Sequence, residues 1–361
     1  MRFILSIALL LISGCADLGY YWHSARGHLG VMSDRVSIDK ILADDETSPE
    51  LRERLLLVQE IRAFSIERLD LPDNDSYRSF VQLENPYVLQ NLFAAPEFST
   101  RLHQWCYPII GCASYRGYYD NERLEKYSAR LKQEGFEIHI GKVSAYSTLG
   151  WFDDPVLSSF INWSDYRLAG LIFHELTHQQ IYIDNDTTFN ESLASAVQQA
   201  GTELWLEHHD KTEQLEGFQR WLVYREQVIE LIIDTQRALN DLYQNNIEDD
   251  QKRISKQEIF ETAKQKHQTI AEQHGVTAGF TRWFTEDLNN AKVGSVAAYN
   301  TRVKAFLQIL NAHQKRFTPF YEYIERLSEL ARKERDQCLD WWQSTDAGTD
   351  NPCPQIVVSS N

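Results

Sequence analysis

Apolar residues recur at three- and four-residue spacing over most of this chain, and clear stop signals interrupt the pattern. Ser48-Pro49-Glu50 opens a helix, with a hydroxyl at the N-cap, proline in the first turn and an acid after it. Leu51, Leu55, Leu57, Val58, Ile61 and Ile66 give that helix its stripe, and Pro72-Asp73-Asn74-Asp75 breaks it. Residues 76–120 hold Pro86, Pro96, Pro108, Gly111 and Gly117 and read as loops and short strands. A helix near 121–134 ends at Gly135. Phe136 to Ile140 then alternates apolar and polar as a half-buried strand does. A second extended segment is expected over Val143 to Leu149, closed by Asp153-Asp154-Pro155. From Pro155 to Pro319 there is no proline, and between Gly217 and Gly275 no glycine. Leu215, Phe218, Leu222, Ile229, Ile232, Leu239 and Leu242 sit at helical spacing, with Asn245 to Asp250 as the turn of a long helical hairpin. The expected class is α+β, predominantly α-helical, with a small sheet and a C-terminal helical array.

Composition narrows the class of protein. Of 361 residues, 43% are hydrophobic and 24% charged, which suits a globular chain. Lys plus Arg is 36 against 52 for Asp plus Glu, a net charge of -16, so nucleic acid is not an expected partner. The start is different in kind. Met1-Arg2 is followed by the apolar run Phe3 to Ile12, too short to span a bilayer, and then by Ser13-Gly14-Cys15. The small residues before Cys15 resemble the bacterial lipobox, in which the cysteine is lipidated and becomes the new N-terminus; a plain signal peptide or an uncleaved anchor is the other reading. Residues 1–14 are then a signal peptide. Residues 15–155 form the N-terminal helix, disulfide loop and small sheet. Residues 156–361 form metal-binding helices and a helical array in the same or a closely packed domain. Lipid on Cys15 tethers the chain to a membrane without a spanning helix. Ala16 after it, by resemblance to Gram-negative lipoprotein sorting, points to the periplasmic face of the outer membrane.

Removing Cys15 leaves Cys106, Cys112, Cys338 and Cys353, an even number suited to an oxidising compartment. Three connectivities are open. Cys106–Cys112 with Cys338–Cys353 is preferred because each closes a short loop; a four-cysteine zinc site lacks the C-x-x-C spacing.

The chemistry is concentrated in Leu168 to Tyr182, where His174-Glu175-Leu176-Thr177-His178 reads H-E-x-x-H on an expected helix. Positions i and i+4 share one helical face, so two imidazoles there can hold one zinc ion, with Glu175 beside them as general base toward a water whose pKa the metal lowers. A third protein ligand is needed. Asp184 has the metzincin spacing, but Ile181 stands where that geometry needs glycine. Glu191 in Phe189-Asn190-Glu191-Ser192 would come from a second helix folded back after Asp184 to Thr187. Ser192, Ala194, Ser195, Ala196 and Ala200 would allow close approach, giving the gluzincin arrangement. Thr188-x-x-Glu191 also fits a capping box, in which Glu191 only satisfies its own helix start. Ser195 stands where many gluzincins carry an acid. Tyr146, Tyr182 and Arg116 are candidate donors to an oxyanion. Val143 to Leu149 is a candidate edge on which a peptide adds as a strand, with Ser147 and Thr148 in contact with it. His208-His209 reads as a helix-end pair.

Taken together and in order, several segments resemble the bacterial predicted-aminopeptidase family of exported zinc-dependent lipoproteins. They are Trp105-Cys106-x-Pro108, Gly111-Cys112, Tyr115-Arg116-Gly117-Tyr118, Ala145 to Pro155, His174 to His178 and Phe189 to Ser192, with Tyr20-Tyr21-Trp22 and Asn289-Asn290-Ala291 as outer markers. The resemblance implies a gluzincin-like peptidase acting on peptides with Zn2+. The chain carries no G-x-M-E-N segment, by which one gluzincin aminopeptidase group holds a substrate N-terminus. Two other functions remain open: a non-catalytic envelope lipoprotein that binds a partner, and a metal amidase acting on peptidoglycan stem peptides.

Overall fold

The computed structural model describes residues 19–107, 111–145, 152–276, 279–344 and 351–355. Residues 19–33 are helical (α1). A short strand and helix follow, β1 (Val36–Ser37) and α2 (Ile38–Leu42), and then α3 (Pro49–Leu69). The Ser48 hydroxyl accepts from Leu51 N at 3.2 Å, which is the cap the sequence pattern requires. Helix α3 buries Leu55, Val58, Ile61, Phe64, Ser65 and Leu69, so the stripe continues through Ser65 and Leu69, with Ile66 at its margin. The chain leaves it through Asp70 in a left-handed conformation, φ 49°.

Six strands and one helix come next: β2 (Ser79–Val81), β3 (Leu89–Pro96), β4 (Trp105–Tyr107), β5 (Gly111–Ala113), β6 (Arg116–Tyr118), α4 (Asn121–Gln133) and β7 (Phe136–Val143). Strands β6, β3 and β7 form an antiparallel sheet in that order. Strand β7 runs unbroken through Gly141 to Val143, with Gly141 paired to Asn91 within the ladder; the expected second extended segment, Val143 to Leu149, falls mostly outside the described residues. Tyr146 to Trp151, with the candidates Tyr146, Ser147 and Thr148, lie outside the described residues, as does Cys15. Alternation along β3 decides what each face meets. Leu92 and Ala94 pack with Leu124 and Leu131 of α4, while Phe93 and Ala95 pack with Leu102 and Ala291. Asp120 caps α4, and Gly135 (φ 87°) turns the chain into β7.

Strand β8 (Val156–Leu157) pairs in parallel with β2, with Phe80 opposite Val156. The remainder is helix: α5 (Asp165–Gln180), α6 (Thr187–His208), α7 (Thr212–Gln244), α8 (Asp249–Gln273), α9 (Phe280–Thr285), α10 (Asn290–Asn300), α11 (Val303–Ala312), α12 (Phe317–Ser328) and α13 (Arg332–Gln343). Helices α7 and α8 are the expected hairpin. The largest core cluster joins α3, α5, α6, α11 and α12 around Leu55, Ile61, Phe173, Phe189, Phe306 and Phe320. Cys106 bonds Cys112 across the β4–β5 hairpin, and Cys338 bonds Cys353, each closing a short loop. No helix of the described residues is long and apolar enough to cross a membrane.

Candidate active site

Helices α5 and α6 approach closely because glycine faces each of them. A Cβ on Gly170 would stand 2.7 Å from Thr202 Oγ1, and one on Gly201 2.9 Å from Phe173 Cδ2, distances that side chains do not tolerate. The turn between the helices is tied at both ends. Asn190, buried, accepts from Ile183 N at 2.9 Å and donates Nδ2 to Ile183 O at 2.8 Å. Asp186 caps α6 by accepting from Phe189 N, and its other oxygen takes Arg335 Nη2 at 2.6 Å from α13. Since the N-cap is Asp186, Glu191 lies beyond the first turn, and the capping-box role for Glu191 is not the one observed.

Glu191 faces back to α5. His174 Nε2 lies 3.4 Å from Glu191 Oε2, and His178 Nε2 lies 3.6 Å from Oε1. The three residues offer ligand atoms that all lie within 4.8 Å of one another. These separations are long for charge-assisted hydrogen bonds. They match the edges of a tetrahedral site, because ligand atoms about 2.0–2.2 Å from zinc stand about 3.3–3.6 Å apart. Asp184 is exposed and belongs to no such cluster among the described residues. The ring of His174 is held from behind, with Nδ1 3.1 Å from Gln198 Oε1. Gln198 was not foreseen. It stands one helical turn past Ala194 on the face of α6 that meets α5.

Glu175 is buried between this cluster and a second polar group. The parallel β2–β8 pair brings Asp154 next to Tyr77, whose N–H donates to Asp154 O at 2.6 Å. Gln179 Nε2 donates to Asp154 Oδ2 and to Ser76 Oγ, each at 3.2 Å, and Asn74 Nδ2 donates to Gln179 Oε1 at 2.6 Å. Burial raises the Glu175 carboxyl to about 7, with the charges of Glu191 and Asp154 adding and His174 opposing. Burial also pushes His178 down to about 4 despite Glu191. For His174 burial acts downward, but the hydrogen bond to Glu191 and the charges of Glu175 and Glu191 carry it upward. Two imidazoles thus share a pocket with the carboxyl groups of Glu175, Glu191 and the nearby Asp154, an excess of negative charge that suits a cation.

The candidate donors separate. Tyr182 is half exposed, its ring 6.4 Å from that of His178. Arg116 is not brought to the site. Its guanidinium lies 3.8 Å over the Tyr20 ring and 4.7 Å over Tyr127, among the aromatic residues on the α4 side of the sheet. The residue before it, Tyr115, packs with Phe93 on the other face and within electrostatic reach of Glu191 and Glu175. Tyr115 sits at the bend that precedes β6 and faces the side of the sheet opposite to Arg116. The β4–β5 hairpin also reaches it, since Cys112 N donates to Asn185 Oδ1 at 3.1 Å in the α5–α6 turn. His208 and His209 end α6 beside Arg68 and Glu60.

No curated protein and no solved structure matches this chain. A family model described as "Putative aminopeptidase" matches residues 19–339, which spans α5 and α6, the disulfide hairpin and most of the helical array. The chain therefore belongs to the putative aminopeptidase family.

Proposed function

We propose that the chain is a zinc-dependent, gluzincin-type peptidase of the bacterial envelope, held by lipid on Cys15 at the periplasmic face of the outer membrane. The observation that carries this reading is the convergence of His174, His178 and Glu191, whose ligand atoms lie within 4.8 Å of one another, with Glu175 buried beside them. When bound, zinc supplies Lewis-acid polarisation of the scissile carbonyl and of water. Glu175 accepts a proton from the attacking water and returns it to the departing nitrogen. A carboxyl raised to about 7 is near the value at which it both takes and gives a proton at neutral pH. Gln198 accepts from His174 Nδ1, so that Nε2 presents its lone pair toward the metal. Tyr182 and Tyr115 supply phenol donors for charge developing on the carbonyl oxygen. Strand β7 pairs only with β3 among the described residues, and its outer edge offers backbone groups on which a substrate peptide can lie extended.

The test is Glu175→Gln, with zinc content and peptide-library cleavage measured on the same preparation. The variant is expected to keep about one zinc per chain and to lose roughly 10²–10⁴ in turnover. Full turnover in the variant would remove Glu175 as the base. Wild-type chain that takes no zinc when zinc is offered would remove the peptidase reading.

A further inference from the structure

Away from the metal helices, a cavity of about 830 Å3 opens between α1, β6 and α4. Its walls are unlike the rest of this acidic chain. Arg26, Arg116, Arg123, Lys126 and Arg130 line it with His23, against one acid, Asp120, whose carboxylate already caps α4. Arg26, Arg123 and Lys126 enter no ion pair among the described residues. The floor is aromatic: Tyr20, Tyr118, Tyr119 and Tyr127. Gly27 lets α1 close on it, for a Cβ there would stand 2.5 Å from the Tyr119 ring. The outer face of the same helix carries two exposed large apolar residues with Arg26 between them. Trp22 is 68% exposed and Leu29 59%, and their i, i+7 spacing sets them on one face two turns apart, away from the face that carries Tyr20, His23 and Gly27.

We propose that this cavity takes the phosphate of an anionic phospholipid headgroup and that α1 lies at the membrane surface, with Trp22 and Leu29 in the interface. Arginine and lysine without carboxylate partners supply the donors that a phosphate ester needs. A tryptophan exposed beside them is the side chain that settles at headgroup depth. Position agrees with charge. The helix is in place by residue 19, four residues after Cys15, so a lipid on Cys15 lies within about 14 Å of the helix start. The inference rests on the proposed tether for this placement, and it adds a non-covalent contact that orients the chain on the surface to which the lipid holds it.

The experiment uses the chain from residue 15 with Cys15→Ser, which cannot be acylated, and flotation with vesicles of phosphatidylcholine alone or with added phosphatidylglycerol. Binding is expected to the anionic vesicles, to fall with salt, and to be competed by soluble glycerol phosphate. Each basic side chain near an anionic surface contributes about fivefold, so the Arg123→Ala/Lys126→Ala variant should bind roughly twenty-fivefold more weakly with unchanged melting temperature and zinc content. Trp22→Ala should weaken binding to the same vesicles. Equal binding to neutral and anionic vesicles, or a double variant that binds as the parent does, would overturn the proposal. Capture of glycerol phosphate without recruitment to vesicles would also overturn it, because the ligand would then be a free phosphate ester. Incorporation of labelled fatty acid at Cys15 in the full chain is measured separately. A lipidated chain whose Cys15→Ser form ignores anionic vesicles refutes the cavity alone, whereas vesicle binding without incorporation refutes the tether alone.

Discussion

Gln198→Met probes whether the cluster is built to hold a metal. Methionine keeps the unbranched length of glutamine and removes Oε1. A branched leucine would crowd Gly170, where a Cβ position already stands 3.3 Å from Gln198 Cγ. The bond lost is the one from His174 Nδ1, 3.1 Å long. Its net worth as a neutral hydrogen bond is about 0.5–1.5 kcal/mol, and the ring nitrogen left without an acceptor adds about 1–3 kcal/mol. The sum overlaps the range found when support behind a metal-binding histidine is removed, a 10–100-fold loss of affinity, or about 1.4–2.8 kcal/mol. Zinc affinity measured by competition with a chromogenic chelator should therefore fall ten- to a hundredfold, while the metal-free chain melts within a few degrees of the parent. Gln198→Glu should recover or exceed the parent affinity, because a carboxylate makes the stronger, charge-assisted bond. Affinity within twofold of the parent in Gln198→Met would refute the argument that this amide orients the ring.

Three further outcomes are expected. Glu191→Ala should abolish stoichiometric zinc binding measured by mass spectrometry while Asp184→Ala leaves it intact; the reverse would return the third ligand to Asp184. Asp186→Ala breaks an ion pair in which both side chains are buried and removes the cap of α6, so chemical denaturation should show a loss of about 3–5 kcal/mol; a loss below about 1 kcal/mol would mean that Arg335 finds another partner. His139 is lowered to about 4 by burial, with Lys292 adding. In the unfolded chain it titrates near 6.5. The neutral ring therefore contributes stability that is present above pH 6.5 and is lost as pH falls from there toward 4. The urea midpoint should fall less steeply over that interval in His139→Gln than in the parent; parallel curves would exclude His139 as a source of acid sensitivity.

The elements that announced themselves in the chain are those whose signals are local. Ser48-Pro49 capped α3, Gly135 ended α4, the asparagine-rich turn joined α7 to α8, and the i, i+4 histidines appeared side by side on α5 because helical spacing alone puts them there. Where two local readings competed, the sequence could not choose. Glu191 fitted a capping box as well as a ligand, and the choice fell to Asp186, which Arg335 holds in the capping position from more than a hundred residues away. Extended segments were harder for a similar reason. A strand boundary depends on the partner's ladder, and β3 carries β7 straight through Gly141.

Residue chemistry by itself therefore determined that two imidazoles share a helical face with a carboxylate beside them and that helix dominates the second half, and it favoured, among three connectivities, the two short cysteine loops. Tertiary structure alone decided which other side chains join that face. Gln198 and Glu191 arrive because Gly170 and Gly201 let two helices touch. Asp154 arrives through a parallel strand pair and Tyr115 through the bend that leads into β6, while Arg116 faces the opposite side of the sheet. These contacts join residues far apart in sequence, and their energy exists only once the backbone has closed around them, so no window of the chain records it.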